Sequence, residues 1–132
     1  MFRGARYMDR SAIYVDVPAP PKVLSPNARS HWAVKAKAVR KYKADVAYLA
    51  MNGHCPGWDH VEVRYTLRLG KGCKRWDGDN LIAAMKSGLD GLVTAGVLKD
   101  DKHVQVMPPE QVRAPANPGV TIRIEQLRLE GR

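Results

Sequence analysis

The sequence predicts a small single domain of the α/β (α+β) class, with two helices packed on a mixed β-sheet. The chain has 132 residues, which fits one domain. Apolar side chains alternate with polar ones over 61–69, as in a half-buried strand, and recur every three or four residues over 29–51, as in an amphipathic helix. The predicted element order is β-α-β-α-β-β. We assign residues 1–11 to a flexible N-terminal arm, 12–127 to the domain and 128–132 to a C-terminal tail.

The first half of the domain begins with a strand. Apolar residues alternate over 13–17, and the proline-rich stretch that follows, to residue 27, predicts an ordered loop because proline restricts the backbone. The helix predicted over 29–51 ends before Gly53, a residue type that commonly terminates helices. Trp32 lies at the helical spacing of the apolar positions, so we expect it in the core.

The second half contains the clearest strand and a second helix. The strand over 61–69 ends at a glycine-rich turn, and the helix runs from Asp79 or Asn80 to Thr94, with Gly96 as its stop. A short strand is expected around 104–106. A proline-rich loop and a last strand around 120–124 complete the predicted sheet.

The charge of the chain is strongly positive and uneven. Lys and Arg number 22 against 13 Asp and Glu, a formal net charge of +9. Residues 1–75 carry 15 basic and 5 acidic side chains, whereas residues 76–132 carry 7 and 8. Such an excess predicts a polyanionic partner, most economically nucleic acid. Five aspartates between 77 and 101 nevertheless form an acidic focus, which a divalent cation would neutralise.

Other functional classes are disfavoured by composition. No apolar run approaches the roughly 20 residues of a membrane span, so we expect no membrane association. Cys55 and Cys73 are the only cysteines and form no CxxC pair, which argues against a disulfide scaffold or a cysteine-rich zinc site. A reducing cytoplasm is therefore the predicted location.

The second helix is predicted to have two distinct faces. At 100° per residue, the apolar back contains residues 81, 85, 88, 89 and 92. The opposite face carries Asp79, Ala83, Lys86 and Asp90, so carboxylate, ammonium and carboxylate follow one another along the exposed front.

Asp77 and Asp79 at the helix entry have two interpretations. Aspartate is a common N-cap, and one of the pair is expected to cap the helix. Two aspartates around Gly78, directly after Lys74 and Arg75, also suit Mg²⁺, with Mn²⁺ as a substitute, because hard cations prefer oxygen ligands. Gly78 is expected to permit a sharp turn that lets both carboxylates converge. The adjacent cations would hold a phosphodiester.

The segment Asp77-Gly78-Asp79-Asn80-Leu81, taken with Asp100-Asp101, resembles the RusA-type Holliday junction resolvases. These are small, basic, dimeric endonucleases encoded largely by phages and prophages. The runs 89–93 and 95–98 and the upstream Leu24-Ser25-Pro26-Asn27 segment are similar to the corresponding parts of that family. The resemblance covers roughly residues 12–127.

The resemblance implies a Mg²⁺-dependent hydrolase that nicks four-way DNA junctions symmetrically as a homodimer, in DNA recombination and repair and without an organic cofactor. It implies that Asp77, Asp79 and Asp101 are catalytic metal ligands, with Asp100 beside them. The family lysine, four residues after the second aspartate of the pair, is replaced here by Ala83. We predict that Lys86 takes the catalytic role, since its long side chain leans towards the helix N-terminus. A solvated surface lysine is the alternative.

Two basic regions are predicted to bind DNA. The first helix is rich in cations without i,i+4 Glu–Lys pairs, which favours phosphate contacts over a neutralised surface. Trp76 is the better candidate for stacking on unpaired bases. The predicted DNA-binding residues are Arg29, Lys35, Lys37, Lys41, Lys71, Lys74, Arg75 and Trp76. The competing hypothesis, a non-catalytic nucleic-acid-binding protein, explains the net charge but not the aspartate cluster.

Overall fold

A computed structural model describes residues 5–7, as backbone, and residues 12–127. Three α-helices and six strands make up these residues, with a short 3₁₀ turn at Lys22–Leu24 between the first helix and the strand before it. In chain order the elements are β1 (Ala5–Tyr7), β2 (Ala12–Val17), α1 (Trp32–Met51), β3 (Val61–Leu69), α2 (Gly78–Ala84), α3 (Lys86–Ala95), β4 (Val104–Val106), β5 (Glu110–Arg113) and β6 (Gly119–Gln126).

The six described strands form one mixed sheet. Its order is β1-β2-β6-β3, and β4 and β5 follow one another along the outer edge of β3. The pairs β1/β2, β2/β6 and β6/β3 are antiparallel, whereas β4 and β5 both run parallel to β3. The predicted mixed sheet and the α+β class are confirmed.

One face of the three central strands forms the floor of the core. Val15, Ile122 and Tyr65 lie opposite one another across β2, β6 and β3 and are almost fully buried. The same register places the apolar residues of 13–17, 61–69 and 120–124 on this face, because side chains alternate along a strand. The strand predicted over 61–69 is confirmed, with the same first and last residues and with the predicted alternation of burial.

The second predicted helix exists but is broken. Met85 separates α2 from α3, and its amide donates to the carbonyls of both Leu81 and Ile82, a tightened turn rather than a continuous helix. The predicted apolar back is buried along both pieces. Gly96 ends α3 at φ +87°, the left-handed conformation predicted for a glycine stop.

Two described strands lie where none was predicted. β5 occupies part of the predicted proline-rich loop, and its sequence lacks an apolar alternation because it is a largely exposed edge strand. Ala5–Tyr7, inside the predicted arm, pairs with β2. The other residues of the arm, 1–4 and 8–11, and the predicted tail, 128–132, lie outside the described residues.

The expectation that Trp32 is a core residue is wrong. Its exposed fraction is 76%, and full burial along α1 begins only at Tyr42, about three turns later. The first part of the helix is therefore largely exposed, with Lys35, Ala36 and Ala38 half-buried. Within 12–127, no helix is long and apolar enough to cross a membrane.

The helices α1 and α3 approach each other through glycine. A Cβ atom added at Gly91 would lie 2.6 Å from the carbonyl oxygen of Lys43 and 3.1 Å from the amide nitrogen of Ala47. At Gly88 the added atom would lie 3.1 Å from the Tyr42 ring. Since the closest neighbour of Gly91 is backbone, no side-chain rotation relieves the contact.

We predict that Gly91→Ala lowers the free energy of unfolding by about 1–3 kcal/mol, the usual cost of overpacking. Gly78→Ala is the matched control, because its added Cβ would lie 3.6 Å from Pro109, an ordinary contact. Urea denaturation measures both. A Gly91→Ala protein as stable as wild type would show that the helices are not in close contact here.

Candidate active site

The loop from residue 70 to residue 77 joins β3 to α2 and is held by β5. The side-chain amide of Gln111 accepts a hydrogen bond from the Trp76 amide at 2.8 Å and donates one to the Trp76 carbonyl at 2.7 Å. Nη1 of Arg113 donates to the carbonyls of Gly70 and Cys73 at 3.0 and 2.7 Å. Both ends of the basic loop are therefore fastened to the sheet edge.

Asp77 is the N-cap of α2, so the capping prediction is confirmed. Its Oδ1 accepts hydrogen bonds from the amides of Asp79 at 3.0 Å and Asn80 at 3.3 Å. Both bonds use the same oxygen, which leaves Oδ2 for a ligand. The expectation that Gly78 makes a sharp turn is wrong, since Gly78 is the first residue of α2 and is not among the glycines with positive φ.

The exposed front of α2 and α3 is as predicted. Asp79, Ala83 and Lys86 are exposed, and Asp90 is half-buried. Nζ of Lys86 lies 2.8 Å from Oδ1 of Asp90 and 3.0 Å from Oδ2 of Asp101. Hydrogen bonds to Asp90 and then to Asp101 raise the pKa of Lys86, and the hydrogen bond from Lys86 lowers the pKa of Asp101. The three groups form a charged triad in which Lys86 bridges two carboxylates.

The turn that carries Asp101 is anchored on both sides. Before it, the Lys99 amide donates to the Trp58 carbonyl at 2.9 Å; after it, the Val61 amide donates to the His103 carbonyl at 3.2 Å. Within the turn, Oδ1 of Asp100 accepts from the Lys102 amide at 2.9 Å. Asp100 therefore shapes the turn, and Asp101 is left exposed against Lys86.

The predicted carboxylates are not all gathered at one point. Asp77, Asp79 and Asp101 do not form a group with ligand atoms within 4.8 Å of one another; within residues 12–127, such a group is formed by Asp59, His60 and His103. Like charges repel at short range, and a bound cation would offset that repulsion on closer approach. The structure does unite Lys86 with Asp101.

Two clefts flank the Leu24-Ser25-Pro26-Asn27 segment. The first, about 350 Å³, contains Trp76 and Asp77 together with Asn27 of that segment. The second, about 210 Å³, contains Lys35 of α1 beside Lys86. The segment thus lies between the basic loop and the triad.

Most of the predicted DNA-binding side chains face solvent. Lys71, Lys74 and Arg75 are exposed, as are Arg29, Lys37 and Lys41, whereas Lys35 and Trp76 are half-buried. Trp76 packs against the core and also lines the first cleft.

The basic stretch of α1 ends in one i,i+4 ion pair with an aspartate, since Nζ of Lys41 lies 2.7 Å from Oδ2 of Asp45. That pair lowers the net charge available at the C-terminal side of the basic stretch.

The fold and these residues define a class: a small α+β protein with exposed carboxylates and a lysine on one helix front, beside a basic loop. A family model described as Endodeoxyribonuclease RusA matches residues 20–125. The chain therefore belongs to the RusA family of endodeoxyribonucleases, and the predicted resemblance is confirmed.

The chain is also similar to a protein of Xylella fastidiosa (strain Temecula1 / ATCC 700964) described as an uncharacterized protein. The two are 30% identical over 95 residues, which cover 67% of this chain and 60% of that protein. The chain thus spans about 60% of the length of this relative.

Sequence reasoning missed the two residues that hold the basic loop. Gln111 and Arg113 lie two positions apart, so they share one face of β5. The signal in the sequence that could have indicated this role is the pair of long polar side chains two positions apart, shortly after two prolines. Asp90 was placed on the front face but its bond to Lys86 was not predicted.

We predict that Gln111→Ala speeds hydrogen exchange of the Trp76 amide by at least about tenfold, because that amide loses its acceptor. Gln105→Ala is the control, since Gln105 is an exposed glutamine on β4. Exchange followed by NMR measures both variants. Unchanged protection of Trp76 in Gln111→Ala would contradict the assigned contact.

Proposed function

We propose that the protein is a Mg²⁺-dependent endonuclease that resolves four-way DNA junctions by paired symmetric nicks, acting as a homodimer in the cytoplasm in DNA recombination and repair. The observation that carries this proposal is the exposed carboxylate and lysine front of α2 and α3, beside a basic loop, in a chain of the RusA family.

The donor set fits a hard divalent cation. Asp77 through Oδ2, Asp79 and Asp101 offer only carboxylate oxygens, with Asp100 adjacent, which suits Mg²⁺ or Mn²⁺. When bound, such a cation lowers the pKa of a coordinated water and stabilises charge that develops on the phosphate.

Each protein group then has a separate task. The N-cap bonds fix the orientation of Asp77 and direct its second oxygen away from the helix amides. Lys86 holds Asp101 at the helix front through an ion pair, and from there its ammonium can also contact a phosphate oxygen. Lys74 and Arg75 hold the DNA strand against this front through phosphate contacts.

The alternative, a non-catalytic nucleic-acid-binding protein, draws support only from the basic surface. Exposed aspartates beside that surface repel phosphate and would weaken simple binding. Cleavage of a junction by the wild type, and its loss in aspartate variants, discriminates between the two functions.

We predict that Asp77→Asn and Asp79→Asn each abolish junction cleavage while binding stays equal or becomes tighter. Either change removes one negative charge from the proposed metal ligands, and asparagine remains a good N-cap at position 77, so the fold should persist. Cleavage of a labelled junction in Mg²⁺ and gel-shift binding in EDTA measure the two effects.

Asp45→Asn is the matched control, because Asp45 lies on α1 and pairs with Lys41. At saturating protein, where a change in DNA affinity caused by freeing Lys41 has no effect on the rate, it should cut as fast as the wild type. Wild-type cleavage by either dyad variant would overturn the assignment of that residue.

We predict that Lys86→Ala slows cleavage by about ten- to a thousandfold with little loss of junction affinity, as removal of one electrostatic stabiliser does. The change removes the ammonium that holds Asp101 and contacts phosphate. In this background, Ala83→Lys should restore part of the rate, since it returns a lysine to the family position. Single-turnover kinetics measure both.

Asp90→Asn separates the two contacts of Lys86. It removes one carboxylate partner and leaves the bond to Asp101. We expect a smaller loss than in Lys86→Ala. Full activity of Lys86→Ala would show that the family lysine has not been relocated to this position.

A further inference from the structure

We propose that Asp59, His60 and His103 form a second cation site, separate from the aspartate front, which binds a transition metal such as Zn²⁺. The three side chains lie where the chain enters β3 and β4. Imidazole nitrogens suit Zn²⁺, Co²⁺ or Ni²⁺, whereas Mg²⁺ prefers sites built from oxygen alone. The chemistry of the donors therefore distinguishes this site from the proposed catalytic one.

The distances between the donor atoms fit one shared ion. Nδ1 of His103 lies 3.2 Å from Oδ1 of Asp59, and Nδ1 of His60 lies 3.8 Å from Oδ2 of the same carboxylate. All the ligand atoms lie within 4.8 Å of one another. A tetrahedral zinc site with bonds of about 2.0–2.1 Å has ligand atoms about 3.3 Å apart, so the donor atoms already lie near the spacing that such a site requires.

The arrangement exceeds what an Asp–His hydrogen bond requires. One histidine would suffice for that hydrogen bond, yet a second imidazole lies beside it: the ring of His60 stacks on that of His103 with centroids 4.1 Å apart and planes inclined by 9°. A Nδ1 atom of each ring lies within 3.8 Å of the Asp59 carboxylate. Because an imidazole nitrogen binds a metal in the plane of its ring, one of the two stacked rings rotates about its Cβ–Cγ bond when both hold the ion.

The backbone around the cluster is ordered by hydrogen bonds. The Val61 amide donates to the His103 carbonyl at 3.2 Å, and the Leu127 amide donates to the His60 carbonyl at 2.9 Å. The donor side chains are between 31 and 48% exposed, so an ion can enter. Three protein ligands leave one tetrahedral position for water or another group.

A metal at this position would strengthen the anchor of the Asp101 turn. His103 follows Asp101 by two residues, and Asp59 and His60 belong to the segment that anchors the turn on its other side. The ion would thus fasten the two segments together. Because the front of α2 and α3 supplies none of the ligands, the site does not depend on the proposed catalytic role of that front.

The test is a Co²⁺ titration of the untagged 132-residue protein in excess Mg²⁺, followed by visible absorption. We expect one Co²⁺ per chain, with bands typical of nitrogen coordination that disappear on addition of Zn²⁺. His60→Ala and His103→Ala should each weaken binding by at least about tenfold. His54→Ala, a histidine outside the cluster, and the Asp77→Asn/Asp79→Asn double variant should bind as wild type does.

Thermal melts add a second readout. Zn²⁺ at about a hundredfold excess over its Kd should raise Tm of the wild type by roughly 5–10 °C and leave that of the two cluster variants unchanged. If an alanine variant is unstable without metal, His60→Gln and His103→Gln provide the same comparison. Absence of a Co²⁺ band in the wild type, or its survival in both cluster variants, would overturn the proposal. Loss of the band in the aspartate double variant would do so as well, because it would place the ion at the helix front.

Discussion

The close approach of α3 to α1 is the constraint on which the site depends. Gly91 leaves no room for a Cβ atom against the Lys43 carbonyl, so the two helix backbones touch. This contact fixes the rotation of α3 about its axis, and with it the direction of Lys86 and Asp90. Burial of the apolar back, including Leu92, adds the hydrophobic stabilisation that keeps the charged front outward.

A second constraint positions the loop that leads into α2. The side chain of Gln111 hydrogen-bonds to both the amide and the carbonyl of Trp76. The residue that follows Trp76, Asp77, caps α2. Asp77 is thus oriented by two sets of hydrogen bonds. Those from β5 hold the residue before it, and those from the first amides of α2 hold its side chain. The Lys86 bond to Asp101 then links this helix front to the turn before β4. Three separate segments of the chain are brought to one surface without a buried charge.

Local periodicity carried most of what the sequence predicted. The strand at 61–69 and the apolar back of the second helix were correct because burial on one face imposes a period of 2 or 3.6 residues. The break at Met85 could not be predicted, since no proline or glycine stands at that position. β5 was missed because an edge strand needs no apolar alternation. Trp32 was misplaced because periodicity does not tell where along a helix the core begins. Asp77, Asp79, Asp101 and Lys86 were predicted as site residues from their spacing and from the family resemblance, and the cleavage of their variants tests those roles.

Cleavage of a mobile four-way junction by the wild-type protein, compared with linear duplex of the same sequence, tests the central claim most directly. In Mg²⁺ we expect paired nicks at symmetric positions across the junction, with products that a ligase seals and with linear duplex left uncut. No nicks should form in EDTA. A protein that binds the junction but leaves it uncut in both Mg²⁺ and Mn²⁺, or that cuts linear duplex equally fast, would contradict the account.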